Sequence, residues 1–177
     1  MVHSDNELRL KFGSLKNELY DYKFELDEAF FGSLDQDLIK DGNVNVLLQV
    51  DKAERHFTLH FVIKGFVKKM CDVCLSELEY PIDTTHDLLV KMTDKPIDED
   101  ADIISVGSKE YELLLNSHVL DYIVLSLPMR VECKNALNRN TCDEGVTKYL
   151  NREISDEQNR ENVHPEMQKL KDLFNKN

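Results

Sequence analysis

Four cysteines are the residues of this chain best suited to chemistry, and their spacing sorts them into two pairs. Cys71 and Cys74 stand in Met70-Cys71-Asp72-Val73-Cys74-Leu75, where a gap of two residues lets both sulfurs converge on one tetrahedral ion. Cys133 and Cys142 come much later, and their separation is looser than the gap of roughly two to four residues usual for such ligands. Three readings follow. The two pairs meet in a closed structural site, with zinc the expected ion; or the thiols stay reduced and unliganded, some as small buried hydrophobes; or Cys71 and Cys74 form a redox couple. His118 and His164 are reserve ligands should one thiolate be missing.

Local chemistry weakens the redox reading. Asp72 lies between the two cysteines, and a nearby carboxylate raises a thiol pKa and thins the thiolate population. Lys68 and Lys69 push the other way. No βαβ pattern backs the motif and the chain has no tryptophan, so a thioredoxin-like enzyme is not expected. Other catalytic constellations are missing too: the serines lack a Gly-x-Ser-x-Gly elbow, and there is no glycine-rich phosphate loop. His56 and His60 share a strand face about 13 Å apart, too far for one metal. The expectation is a protein that is not an enzyme.

Charge narrows the partners. At a net charge of −12 the surface as a whole repels phosphate, which favours protein partners, basic ones above all, and confines any nucleic-acid contact to a patch. The two cysteine regions are the least acidic parts of the chain. Lys64, Lys68 and Lys69 precede the first pair, and Arg130, Lys134 and Arg139 surround Cys133. Joined, they make a basic island able to meet RNA phosphates; the plainer reading is a chance surplus of cations. The acidic run from Asp94 to Asp102 reads as a solvated loop rather than a metal cluster. No apolar run nears the roughly 20 residues that span a bilayer, and the start of the chain lacks a signal-peptide pattern, so a reducing cytoplasm is expected and no membrane partner.

The elements that must position these residues are mostly strands. Leu8, Leu10 and Phe12 alternate with polar residues, as do Tyr20 to Leu26, Val44 to Val50, Phe57 to Ile63, Leu78 to Ile82 and Leu88 to Met92. The Val44 and Phe57 runs form a hairpin, and Gly65 interrupts the second as a bulge or sharp bend would. Asp27 to Phe31 breaks the period and opens a short helix; Ile103 to Val106 returns to the sheet. A strand over Tyr111–Leu115 precedes a buried helix over about 117–127, with Asn116 or Ser117 as N-cap and Pro128 as its stop. Pro165, Met167, Leu170 and Phe174 suit a short C-terminal helix. The expected fold is α+β: a curved antiparallel sheet or partly closed barrel in the N-terminal two thirds, with a covering helix. A β-rich domain over 1–130 is then followed by a cysteine-bearing loop and tail over 131–177.

Three places resemble the YceD family of large ribosomal RNA subunit accumulation proteins. Gly65-Phe66-Val67 leading to Cys71-Asp72-Val73-Cys74-Leu75 is similar to the family's strand ending in C-x-x-C-L. Leu120 to Pro128 is similar to its helix ending in Leu-Pro, and His164 to Leu170 resembles its closing proline-led segment. The family's tail usually reads Asp-Pro-Arg where this chain has His164-Pro165-Glu166, and the second cysteine pair departs from a second C-x-x-C. The resemblance implies a non-enzymatic role in large-subunit rRNA accumulation or ribosome assembly in a bacterial cytoplasm. A ribosomal or assembly protein, and large-subunit rRNA, are the partners it implies.

Overall fold

The computed structural model describes residues 2–3, 7–34, 38–94 and 102–150. The chain divides into two units, Met1–Cys142 and Asp143–Asn177. The first carries strands β1 (Val2–His3), β2 (Arg9–Leu10), β3 (Leu19–Leu26), β4 (Gly42–Lys52), β5 (His56–Met70), β6 (Glu77–Met92), β7 (Ile103–Val106) and β8 (Leu113–Leu114). It also carries helices α1 (Glu28–Ser33) and α2 (Asn116–Ser126) and a 3-10 turn over Cys133–Asn135. Within the second unit, helix α3 (Glu144–Leu150) starts at Asp143, whose carboxylate accepts from the backbone N–H groups of Gly145 and Val146.

The sheet runs β1-β3-β4-β5-β6-β7. Strands β3 to β6 form an antiparallel meander, but β1 pairs parallel to β3 and β7 pairs parallel to β6. The sheet is therefore mixed and open, with β1 and β7 as its two edges, and the expected antiparallel or partly closed barrel is wrong. Closure needs the first and last strands to pair. Among the described residues each edge strand pairs on one side only, and β2 and β8 pair with each other in a separate two-stranded sheet. The α+β class holds, and α2 occupies almost the span expected of the covering helix. The expected C-terminal helix lies outside the described residues.

Alternation fixes the faces. The register aligns Phe24 with Val46, Val46 with Ile63, Leu48 with Phe61 and Leu59 with Leu88, so one face is apolar across four strands. Each of these residues is buried, and a fully buried side chain of this kind stabilises by about 1.5–3 kcal/mol. The opposite face carries Asn45, Gln49, His60, Lys64 and Asp87 and stays wet; His60 pairs there with Asp87 across the strands. The apolar face is covered by Leu8, Leu10 and Phe12, by Phe30 and Phe31 of α1, and by Val119, Tyr122 and Ile123 of α2, all in one core. Phe12 packs on Phe57 with ring centroids 5.1 Å apart, and the Lys52 ammonium donates to the carbonyls of Phe12 and Leu15 at 2.8 and 2.7 Å.

Three local features differ from the sequence expectation for physical reasons. Gly65 makes no bulge: it sits in register opposite Val44 within an unbroken β5, at φ 155°. A β-carbon there would lie 2.1 Å from the Asn43 carbonyl oxygen, so the glycine allows a close approach of β4. Pro81, which in the sequence breaks the alternation of Leu78, Tyr80 and Ile82, does not break β6, because β7 pairs only with Leu89 to Met92 and leaves the strand an edge at the proline. Asn116 does not cap α2. It is the first helical residue, and its buried side-chain oxygen accepts the Leu8 N–H at 2.6 Å, tying the N-terminal segment to the helix.

Candidate functional site

Strand β5 ends at Met70, and the chain turns through Cys71 to Ser76 before β6 begins. The turn is closed by backbone bonds: Cys71 N–H to the Ser76 carbonyl and Leu75 N–H to the Cys71 carbonyl, both 2.9 Å. Leu75 takes the left-handed conformation, φ 58°, which reverses the chain directly after the second cysteine. Inside the turn the Val73 N–H points at the Cys71 sulfur, 3.4 Å away. The Cys74 thiol meets the Ser76 hydroxyl at 3.4 Å.

The second pair is brought to this turn by hydrogen bonds in which a backbone group is always one partner. Asp72 N–H donates to the Val131 carbonyl at 2.9 Å, and the Asp72 carboxylate accepts the Val131 N–H at 2.6 Å. Leu137 N–H reaches the Glu79 carbonyl at 2.8 Å, and Glu79 N–H reaches the Asn138 side-chain oxygen at 3.1 Å. Between these anchors the 3-10 turn presents Cys133. Asp72 is thus a structural clamp, with its carboxylate engaged by the segment that carries the second pair.

All four sulfurs lie within 4.8 Å of one another. Cys71 and Cys142 are 3.8 Å apart, Cys74 and Cys133 3.4 Å, and all four thiols are free. A disulfide needs about 2.05 Å between sulfurs. Four sulfurs each about 2.3 Å from a central ion stand about 3.8 Å apart at the corners of a tetrahedron. The cluster has the second geometry. Cys71 and Cys133 are fully buried with Leu78, Val131 and Ala136 in a small core of their own, separate from that of the sheet.

The electrostatics agree. Burial pushes the Cys71 thiol up, but hydrogen bonds from the backbone N–H groups of Cys74 and Val73 and from the Cys133 thiol together outweigh it, leaving it below the ordinary value. Burial, followed by the neighbouring thiols, pushes Cys133 far up, and burial also raises Cys142. Without a cation the cluster cannot keep four thiolates at close quarters; a divalent ion at its centre is what makes that charge state stable. Cys71, Cys74, Cys133 and Cys142 are the residues that would hold it. Of the two reserve ligands, His118 lies on α2 and is not in the cluster, and His164 is outside the described residues.

The six cations expected to form a basic island are all engaged. Lys64 pairs with Asp83 at 3.2 Å, Lys68 pairs with Asp41, and Lys69 donates to the Leu38 carbonyl at 2.7 Å. Arg130 and Lys134 share Glu132, at 3.1 and 2.8 Å, and Arg139 bonds the Thr141 carbonyl at 3.2 Å. The local sequence around Lys64 and Lys68 holds no acid; their partners, Asp83 and Asp41, come from β6 and the approach to β4.

A cavity of about 350 Å³ that sequence pattern alone does not reveal lies between α2 and β6, lined by His86, Asp102, His118, Asp121, Tyr122, Val124 and Leu125. It leaves a trace in the sequence. Thr84 and His86 occupy inward positions of β6 among Ile82, Leu88 and Val90, where alternation demands apolar side chains.

No curated protein and no solved structure matches the chain. The family profile described as large ribosomal RNA subunit accumulation protein YceD matches residues 59–174. That match runs from β5 through both cysteine pairs and takes in about two thirds of the sequence, so the chain belongs to the YceD family.

Proposed function

We propose that this chain is a non-enzymatic interaction module, clipped by one zinc ion, that serves the accumulation of large-subunit ribosomal RNA. The observation that carries the reading is the convergence of four free cysteine sulfurs to within 4.8 Å. Four protein ligands fill a tetrahedral ion and leave no position for a substrate or an activated water, which is the arrangement of a structural rather than a catalytic site. An all-sulfur set suits zinc over the harder divalent ions. The family description supplies the rRNA context.

The rival reading, a thiol-dependent enzyme, needs an accessible thiolate. Cys71 is the thiol whose pKa is drawn down, and it is fully buried. The ion pairs on Lys64, Lys68, Arg130 and Lys134 likewise favour a protein contact over direct RNA binding, since each phosphate contact would have to displace an acidic partner. Depletion of the protein, followed by measurement of large-subunit rRNA, tests the reading. Wild-type protein restores the rRNA and the Cys71→Ser, Cys133→Ser double variant does not; rRNA that is unchanged on depletion refutes it.

A further inference from the structure

Strand β6 is the last long strand of the sheet, and its outer edge is covered only at its two ends. The odd-numbered residues turn their backbone groups outward. Leu89 N–H donates to the Asp102 carbonyl at 2.8 Å, where β7 begins. Near the cysteine turn, the Glu79 carbonyl accepts from Leu137 at 2.8 Å, and Glu79 N–H donates to the Asn138 side chain at 3.1 Å. Between these anchors stand Asp83, Thr85 and Asp87, whose outward N–H and C=O groups have no partner among the described residues. Pro81, which has no N–H to offer, lies on the same edge. The open stretch from Pro81 to Asp87 is about 20 Å long.

A row of unpaired main-chain groups is a template for one more strand, and the flanking side chains decide which strand is admitted. On the wet face the Asp83 and Asp87 side chains are 71% and 69% exposed. Lys64 holds Asp83 and His60 holds Asp87, each through one carboxylate oxygen, so the other oxygen stays open. A second copy of this edge would set these acids against their own counterparts, which destabilises the pairing, and each chain carries a net charge of −12. The same charges repel a phosphate backbone. Lysine or arginine side chains meet the opposite situation.

The inner face asks for something different. The α2–β6 cavity lies at the same edge, since its lining runs from His86 to Asp102, whose carbonyl accepts the outward Leu89 N–H. Val124 and the exposed Leu125 supply apolar surface there. Because side chains alternate along a strand, cations toward the wet face leave every second residue turned toward α2.

We propose that the open edge of β6 from Pro81 to Asp87 receives an extended basic segment of a partner protein as an added strand, with its lysines or arginines beside Asp83 and Asp87 and apolar residues between them turned toward α2. This deepens the interaction-module reading and rests on it, giving the partner a chemical class, and it does not depend on the zinc.

The test is fluorescence anisotropy of the full chain with a labelled nonapeptide in which lysines and arginines alternate with valines. That peptide binds, and a peptide of the same composition with its cations grouped at one end binds at least about tenfold more weakly, because it cannot serve both faces. Backbone N-methylation separates strand addition from plain charge attraction. Methyl groups on the cationic residues block an antiparallel strand, and methyl groups on the valines block a parallel one. One pattern therefore weakens binding at least about 30-fold, the scale of losing two or more main-chain hydrogen bonds, and the other leaves it nearly unchanged. Thr85→Pro removes the central outward N–H and weakens binding at least about fivefold. Its thermal midpoint and metal content stay near wild type, since that N–H has no part in the ladder with β5 and Pro81 is already housed on this edge. Asp83→Asn with Asp87→Asn weakens binding and flattens its salt dependence. No binding by the alternating peptide, equal binding by the grouped one, or equal effects of the two methylation patterns overturns the proposal. Depletion reads the rRNA role separately: rRNA lost on depletion with no peptide bound overturns the strand addition alone.

Discussion

Gly65→Ala is the substitution to which the sheet should respond most sharply. The new β-carbon would stand 2.1 Å from the Asn43 carbonyl oxygen and 2.7 Å from the Val44 α-carbon, both backbone atoms that no rotamer change can move aside. Strand β4 must separate from β5 locally, or Gly65 must abandon its φ of 155°. Holding an L-residue in that conformation costs about 1–3 kcal/mol. Loosening the pairs around Asn43 and Val44 loses one or two hydrogen bonds, each about 1 kcal/mol net. The sum is about 2–5 kcal/mol, a large share of the roughly 5–15 kcal/mol that holds a domain of this kind together. Gly32→Ala is the control. Gly32 lies in α1, and a β-carbon added there would meet nothing within 4 Å, so alanine should stabilise by up to about 1 kcal/mol. Urea unfolding of both variants, with the slope held equal to wild type, reads the difference. A Gly65→Ala cost below about 1 kcal/mol would refute the close-approach argument.

Further outcomes follow from the same contacts. Cys133→Ser removes one of the four proposed ligands; with structural zinc worth about 10–16 kcal/mol, a quarter share is about 3 kcal/mol, or roughly 150-fold in metal affinity by chelator competition. Asn116→Leu leaves the Leu8 N–H without its 2.6 Å acceptor and should cost about 1–3 kcal/mol in thermal or urea unfolding; a neutral result would mean that water reaches that N–H. Glu132 is held below the usual carboxylate range, first by the hydrogen bond from Lys134. A depressed folded value means that its contribution is complete above the unfolded value near 4.3 and is lost as pH falls through the folded value. The Glu132→Gln variant should accordingly lose less stability than wild type on the acid limb, and an identical limb would refute the pairing.

Much of the sheet was legible because burial on one face writes itself as a period of two. Val44 to Val50 and Phe57 to Ile63 could be read as a hairpin from side chains alone, and the register confirms it. Closure could not be read the same way. Whether a sheet curls shut depends on which strands its edges meet, and short edge strands such as Ile103–Val106 give too few residues to show direction, so the parallel pairing of β7 left no mark. The cysteines were legible as two pairs and their convergence was not. The segment holding Cys133 and Cys142 has no period, and what draws it to Cys71 is a set of hydrogen bonds at Asp72 and Glu79, two between backbone groups and two using the Asp72 and Asn138 side chains, which leave no periodic mark in the sequence. The cation pairs were hidden for a related reason: Asp41 and Asp83 are far from Lys68 and Lys64 in sequence and adjacent only through the register. Tyr122 escaped notice because the helical stripe runs through Leu120, Ile123, Val124 and Leu127, while the inward His86 that stacks on it lies on another element.

The most direct test of the central claim is the metal content of the purified full chain, read by elemental analysis beside thiol titration under native and denaturing conditions. The geometry predicts one zinc per chain, four thiols protected from modification in the folded protein, and release of the zinc as they react. A metal-free protein whose four thiols titrate freely in the native state would contradict it.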